Sequence, residues 1–300
     1  MTGSLRPSLA LAERVAELAG RRPTGWFRAT QGYTPAERWS VRFDDGSSAF
    51  VKAAVNDETG GWLRTEHELY KHLSGAPFVA RLEGWDDDGE RPLLMLEDLS
   101  AAQWPPPWTT QRIHAVLATL DAIHATAPPA GAMSLDSLRD DLAGWARVEE
   151  EPASFLALGD CTAAWLNAAL PTLVEAESAA RLEGDELLHF DVRSDNLCFP
   201  EGRTVFVDWN SAIRGNGRLD AVSWMPSLRL EGGPPPESLI APEPELAALI
   251  AGYFAHRARL PEIPLAPRVR TIQRAQLRVA LPWVAGLLGL PPPGRPGRLS

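Results

Sequence analysis

Residues 187–210, LLHFDVRSDNLCFPEGRTVFVDWN, restrict this chain more than any other stretch. They set His189 two positions before Asp191, Asn196 five positions after that aspartate, and Asp208 at the end of a short apolar run. The flanking segments are short, apolar and β-prone, which predicts strands that hold the polar groups on the loops between them. Asp191 can accept a proton from a hydroxyl. Asn196 and Asp208 carry hard oxygen donors of the kind that bind Mg2+ beside nucleotide phosphates. The plain alternative is a polar loop whose Asp and Asn side chains make only local turn hydrogen bonds.

Charge and cysteine usage narrow the function classes. The net charge is -10 over 300 residues, which argues against a general nucleic-acid binder, because such proteins carry a basic footprint. Cys161 and Cys198 supply neither a disulfide framework nor a closely spaced zinc pair, so a reduced, cytoplasmic setting is expected. Glu13, Arg14 and Glu17 interrupt the N-terminal apolar stretch, against a signal sequence. The longest apolar run, residues 279–290, contains Pro282 and is too short to cross a bilayer. No membrane and no obligate protein partner is expected. Lysine occurs at positions 52 and 71 alone. Neither follows a glycine, so a Walker-type phosphate loop is excluded.

Upstream, residues 8–19 read as a helix, and residues 26–30, 39–43 and 48–55 as strands. Lys52 falls in the middle of AFVKAAV, where a buried lysine demands a partner. Residues 61–74 read as a helix in which Glu66 shares a stripe with Trp62, Leu69 and Leu73, so its carboxylate turns inward. Lys52 is the cation it would meet. Two further strands are expected at 80–85 and 92–96, and a helix at 110–125 with His114 and His124 on its flanks. Residues 133–183 read as further helices, with Pro171 kinking or ending one of them. Asp220 is expected to cap the helix containing Ala221, Val222 and Trp224 and to tie it to the catalytic loop. Glu149, Glu150 and Glu151 form either an attraction for an amine-bearing substrate or a solvated face.

The stretches FVKAA, TEHELYKHL, LLMLEDL, HFDVRSDN and VFVDWN, in that order, resemble the aminoglycoside phosphotransferase-like kinases, small-molecule kinases with the fold of protein kinases. The resemblance implies an α+β, bilobal protein-kinase-like fold. Residues 1–99 would be a nucleotide-binding lobe with an antiparallel sheet and a helix. Residues 100–300 would be a mostly helical lobe for catalysis and acceptor binding. It implies ATP and Mg2+, with Asn196 and Asp208 as metal ligands and Asp191 as the catalytic carboxylate. Lys52, oriented by Glu66, would hold phosphates, and Arg193 would stabilise charge on the γ-phosphate. The loop with Gly32 and Thr34 would cover the phosphates, and the backbone near Glu97 and Leu99 would meet the adenine edge.

The chain also departs from protein kinases. The loop at 31–35 holds one glycine, not a glycine triplet, and Trp209-Asn210 replace Phe-Gly. Ala241-Pro242-Glu243 comes after the 220–224 helix, whereas the protein-kinase order is the reverse. Only a short link joins Asp208 to Asp220, too little for a peptide-binding activation segment. The acceptor is therefore expected to be a hydroxyl of a small molecule, aminoglycoside-like, an amino alcohol or a sugar. A catalytically silent, pseudokinase-type nucleotide or metabolite binder is the alternative from another class.

Overall fold

The computed structural model describes residues 6–29, 36–263 and 266–294. The chain forms two compact units, Met1–Pro105 with Ser194–Ser211 and Pro106–Arg193 with Ala212–Ser300.

The first unit opens with α1 (Leu9–Ala19), started by the Ser8 side chain, which accepts from Leu11 N, and stopped by Gly20 at φ 62°. Five strands follow in the order β1-β2-β3-β5-β4: β1 (Pro23–Arg28), β2 (Glu37–Phe43), β3 (Ser48–Ala53), β4 (Leu82–Asp86) and β5 (Leu93–Glu97). All pairings are antiparallel. Alternate residues Trp39, Val41 and Phe43 of β2 and Ala49, Val51 and Ala53 of β3 pack with Leu11 and Val15 of α1. The period of two therefore sends Ser40, Phe50 and Lys52 to the opposite face.

Helix α2 spans Asp57–His72 and starts earlier than its apolar stripe predicts. Asn56 Oδ1 accepts from Thr59 N at 2.8 Å, and Thr59 Oγ1 accepts from Asn56 N at 3.1 Å. This reciprocal cap offsets the poor helix propensity of Gly60 and Gly61. Two short strands, β7 (Leu197–Cys198) and β8 (Val205–Phe206), pair as a hairpin that belongs to this unit. Phe206 N donates to Phe78 O at 2.8 Å, and Phe199 N to Gln103 O at 2.9 Å.

The second unit is mainly helical. It contains α3 (Thr110–His124), the short α4 (Arg139–Leu142), α5 (Trp145–Glu150) and α6 (Pro152–Leu156), then α7 (Ala163–Ala179), α8 (Arg218–Leu230), α9 (Pro244–Arg257) and α10 (Arg268–Leu287). Strand β6 (Glu186–Leu188) pairs antiparallel with β9 (Ile213–Gly215). Helix α7 runs through Pro171 without ending there. In α9 every residue from Leu246 to Gly252 is buried, because α5, α7, α8 and α10 all pack around it. Among the described residues no helix is long and apolar enough to cross a membrane.

A buried carboxylate locks three of these helices. Glu177 of α7 is 3% exposed. It accepts from Gly144 N at 2.8 Å, from Trp145 N at 2.9 and 3.0 Å, and from Ala146 N at 3.2 Å, so it caps the start of α5 from another helix. Gly144 and Gly252 allow this approach, since a Cβ on Gly144 would sit 1.7 Å from Gly252 O. Trp145 Nε1 donates to Ala248 O at 2.9 Å. Each unit also holds one buried cysteine. Burial pushes the Cys198 thiol of the first unit up to about 12 and the Cys161 thiol of the second up to about 11.

Burial raises the Glu177 pKa to about 6, against the lowering effect of its backbone N–H donors. The folded protein then binds more protons than the unfolded chain between pH 4.5 and about 6. The stabilisation from that proton is fully present below the window and is lost as pH rises through it, by about 2 kcal/mol. Chemical denaturation of wild type and Glu177→Ala across pH 4 to 7 tests this; the difference between the two proteins should change in that direction and over that range.

Candidate active site

In the first unit Lys52, Glu66 and Asp208 form one bonded cluster. Lys52 on β3 is 6% exposed and Glu66 on α2 is fully buried. Lys52 Nζ donates to Glu66 Oε1 at 2.6 Å, to Glu66 Oε2 at 2.9 Å and to Asp208 Oδ1 at 3.0 Å. Burial alone would lower the lysine pKa, but the charges of Glu66 and Asp208 outweigh it and hold the group above its ordinary value. Burial also raises Glu66, against the pull of Lys52. The two shifts differ in cause: the neighbouring carboxylates raise Lys52, whereas burial, with a smaller contribution from the Asp208 charge, raises Glu66.

Asp208 lies two residues after β8 and has φ 65°. Its neighbour Trp209 is fully buried, donates from Nε1 to Phe206 O at 3.0 Å and meets Phe78 at 6.1 Å between ring centres. The buried indole holds the turn while the left-handed backbone turns Asp208 toward Lys52. Asn210 Nδ2 donates to Asp208 Oδ1 at 2.9 Å. Asn196 at the other end of the hairpin is 4% exposed, and its carbonyl accepts from Val207 N at 2.9 Å.

These residues fit a Mg2+ ion. Asn196 and Asp208 supply hard oxygens at the two ends of one hairpin. Among the described residues no group of three His, Cys, Asp or Glu forms a closed metal cage. Such a pair suits an ion that takes the rest of its shell from phosphates and water.

Glu97 ends β5, and Leu99 lies two residues beyond it. Glu97 N donates to Arg81 O at 2.8 Å, and its carboxylate accepts from Arg203 Nη2 at 2.6 Å and from Arg81 N at 3.1 Å. Leu99 O accepts from Ala102 N at 3.0 Å and from Trp104 Nε1 at 3.1 Å, so this carbonyl is committed to its own loop. Gly32 and Thr34 lie outside the described residues.

In the second unit Asp191 and Arg193 face each other, with Arg193 Nε 3.4 Å from Asp191 Oδ1. Arg193 thus pairs with Asp191 itself. The loop before them hangs on Asp220, which is fully buried. Asp220 Oδ2 accepts from His189 N at 2.9 Å and Oδ1 from Phe190 N at 2.8 Å, while His124 Nε2 lies 3.1 Å from Oδ2. Phe190 has φ 63°, a conformation unfavourable for a bulky residue and held here by these bonds. Asp220 does tie its helix to this loop, but α8 begins at Arg218, so Asp220 sits inside the first turn and is not the cap. His124 reaches Asp220 because Gly217 leaves room: a Cβ there would lie 2.6 Å from the His124 ring.

Two features escaped the sequence pattern. His124 looked like a flank residue because its partner lies 96 positions away. Phe50 shares the face of Lys52 through its spacing of two on β3, a signal that strand parity alone contains. The acidic run 149–151 is exposed; Glu150 lies 3.6 Å from Arg147, and Glu151 3.1 Å from Arg259. Glu150, Glu151, Arg147 and Arg259 line a groove with Asp140, Asp141 and Arg257, four carboxylates against three guanidinium groups.

Asp220→Ala should destabilise the protein by about 3 kcal/mol, because two buried N–H groups and His124 lose their acceptor. Urea unfolding of the variant against wild type measures it; a change under about 1 kcal/mol would mean that the loop finds other partners.

A family model described as the phosphotransferase enzyme family matches residues 28–264. No curated protein matches the chain. Among solved structures, the amicoumacin kinase hAmiN in complex with AMP-PNP, Ca2+ and Ami is 13% identical with a TM-score of 0.56, covering 91% of this chain and 93% of that one. The GDP and kanamycin complex of APH(2")-IIia is 12% identical, TM-score 0.57, over 94% and 99% of the two chains. The choline kinase LicA from Streptococcus pneumoniae is 10% identical, TM-score 0.55, over 93% and 98%. At these identities the likeness is one of fold, an antiparallel N-terminal sheet followed by a helical remainder.

Proposed function

The chain belongs to the phosphotransferase enzyme family, and from that premise we propose that it moves the γ-phosphoryl group of ATP to a hydroxyl of a small molecule. The observation that carries this reading is the Lys52–Glu66–Asp208 cluster, bonded at 2.6 to 3.0 Å, beside Asn196 on the same hairpin. A buried lysine anchored on Glu66 is fixed in place, and it can offer a phosphate oxygen the N–H that Asp208 now holds.

The roles follow from the chemistry of each group. Asp191 accepts the proton of the acceptor hydroxyl as its oxygen attacks the γ-phosphorus and the bond to the β–γ bridging oxygen breaks, leaving ADP. Arg193, fixed beside Asp191, offsets charge on the transferred group. Lys52 binds the α- and β-phosphates, with Glu66 keeping it in place. Asn196 and Asp208 hold Mg2+, which supplies charge neutralisation at the phosphate oxygens. The backbone around Glu97 and Leu99 meets the adenine edge, and Phe50, on the lysine side of the sheet, offers an apolar surface to a purine. The nucleotide then belongs to the first unit, and the proton acceptor to the second. The acceptor class is an aminoglycoside-like compound, an amino alcohol or a sugar.

Asp191→Ala should abolish turnover, with a fall of at least about a hundredfold, and keep nucleotide binding. Asp208→Ala should lose the dependence of nucleotide binding on Mg2+. The assay is ATP consumption with Mg2+ across a panel of hydroxylated small molecules, with Asp191→Ala as the blank. An acceptor-dependent rate in wild type that persists in the blank sinks the mechanism.

A further inference from the structure

The β7–β8 hairpin carries Asn196 and Asp208 at its two ends and Arg203 near its tip. Glu201 at φ 45° and Gly202 at φ 79° reverse the chain, and Arg203 N donates to Pro200 O at 2.8 Å. This tight turn projects the Arg203 guanidinium onto Glu97, where Nη2 meets Oε1 at 2.6 Å. Glu97 is the first residue of the segment proposed above to bind adenine. Its side chain is 11% exposed, and both carboxylate oxygens are in use, because Oε2 accepts from Arg81 N.

We propose that Arg203 is a positioning residue that couples the adenine-binding segment to the metal-binding hairpin through Glu97. The two ends of the nucleotide, base and phosphates, are then held by one hydrogen-bonded body. Besides the Lys52–Asp208 pair, this hairpin is fastened by backbone bonds that include Phe206 N to Phe78 O and Phe199 N to Gln103 O. Both are backbone bonds that side-chain substitution leaves in place. The Arg203–Glu97 bond is charge-assisted, short and shielded from water at its acceptor end, which sets it apart from an ordinary surface ion pair. Asn196 and Asp208 would hold the metal at the open end of this hairpin, and the Arg203–Glu97 bond would fix the base-binding segment to its tip. Metal binding and base binding therefore strengthen each other.

This inference rests on the nucleotide and metal assignments of the proposed function, and the experiment separates the two. Dissociation constants for ATP are measured by calorimetry with and without Mg2+, and their ratio gives the metal–nucleotide coupling. In Arg203→Met the ratio should fall at least about fivefold toward one, the lower end of typical coupling between sites. Arg203→Lys should keep most of it, since an ammonium can still bond Glu97 Oε1. Glu97→Gln should lower the ratio as Arg203→Met does, which protects the test against one variant that fails to fold. A merely structural Arg203 would lower the melting temperature of Arg203→Met and leave the ratio within twofold of wild type, and that result overturns the proposal. Wild-type protein that binds no ATP overturns the assignment of function itself, and this inference with it.

Discussion

A single buried ion pair organises the first unit. Lys52 and Glu66 have almost no contact with water, and either charge alone at that depth would cost several kcal/mol. The pair survives because its geometry is tight and because Asp208 takes up the remaining direction of the ammonium. Each element of the unit serves that arrangement. β3 sets Lys52 on the face opposite the apolar core, and the Asn56–Thr59 cap lets α2 begin early enough to bring Glu66 beneath it. The β7–β8 hairpin returns Asp208 to the same point. Two carboxylates thus share one lysine ammonium.

The second unit solves a related problem with backbone. Phe190 adopts a left-handed conformation, as Asp208 does in the first unit, and each such residue costs about 1 to 2 kcal/mol. Asp220 offsets the cost at Phe190 by receiving two consecutive N–H groups, and the buried Trp209 does the corresponding work beside Asp208. Strain sits at Asp208 and at the residue before Asp191, and buried anchors one residue away, or across the fold, hold it there. Glu177 shows the same device away from the site, a side chain of one helix satisfying the first amides of another.

Much of this was legible in the sequence, for identifiable reasons. Lys52 and Glu66 could be matched because a lysine in an apolar strand and a glutamate on an apolar helix stripe each require a partner. The strands of the sheet were legible as short β-prone runs between turns, and the tie from Asp220 to the loop was legible although its place as the helix cap was not. The rest depended on distance along the chain. The partners of His124, Glu177 and Glu97 lie 96, 33 and 106 residues away, and no local pattern encodes such pairings. The early start of α2 is a local signal, but two glycines masked it. The contact between Gly144 and Gly252 shows only in three dimensions, where the absence of a side chain is what matters.

The two cysteines give each unit its own internal clock. Both thiols are buried, and their high pKa values leave almost no thiolate near neutral pH. A water-soluble alkylating reagent can therefore modify Cys198 only when the sheet unit opens, and Cys161 only when the helical unit opens. The labelling rates of the two sites, followed separately by mass, report how often each half of the chain unfolds while the other stays closed. The native sequence already contains the probes that would reveal whether the two units breathe together or apart.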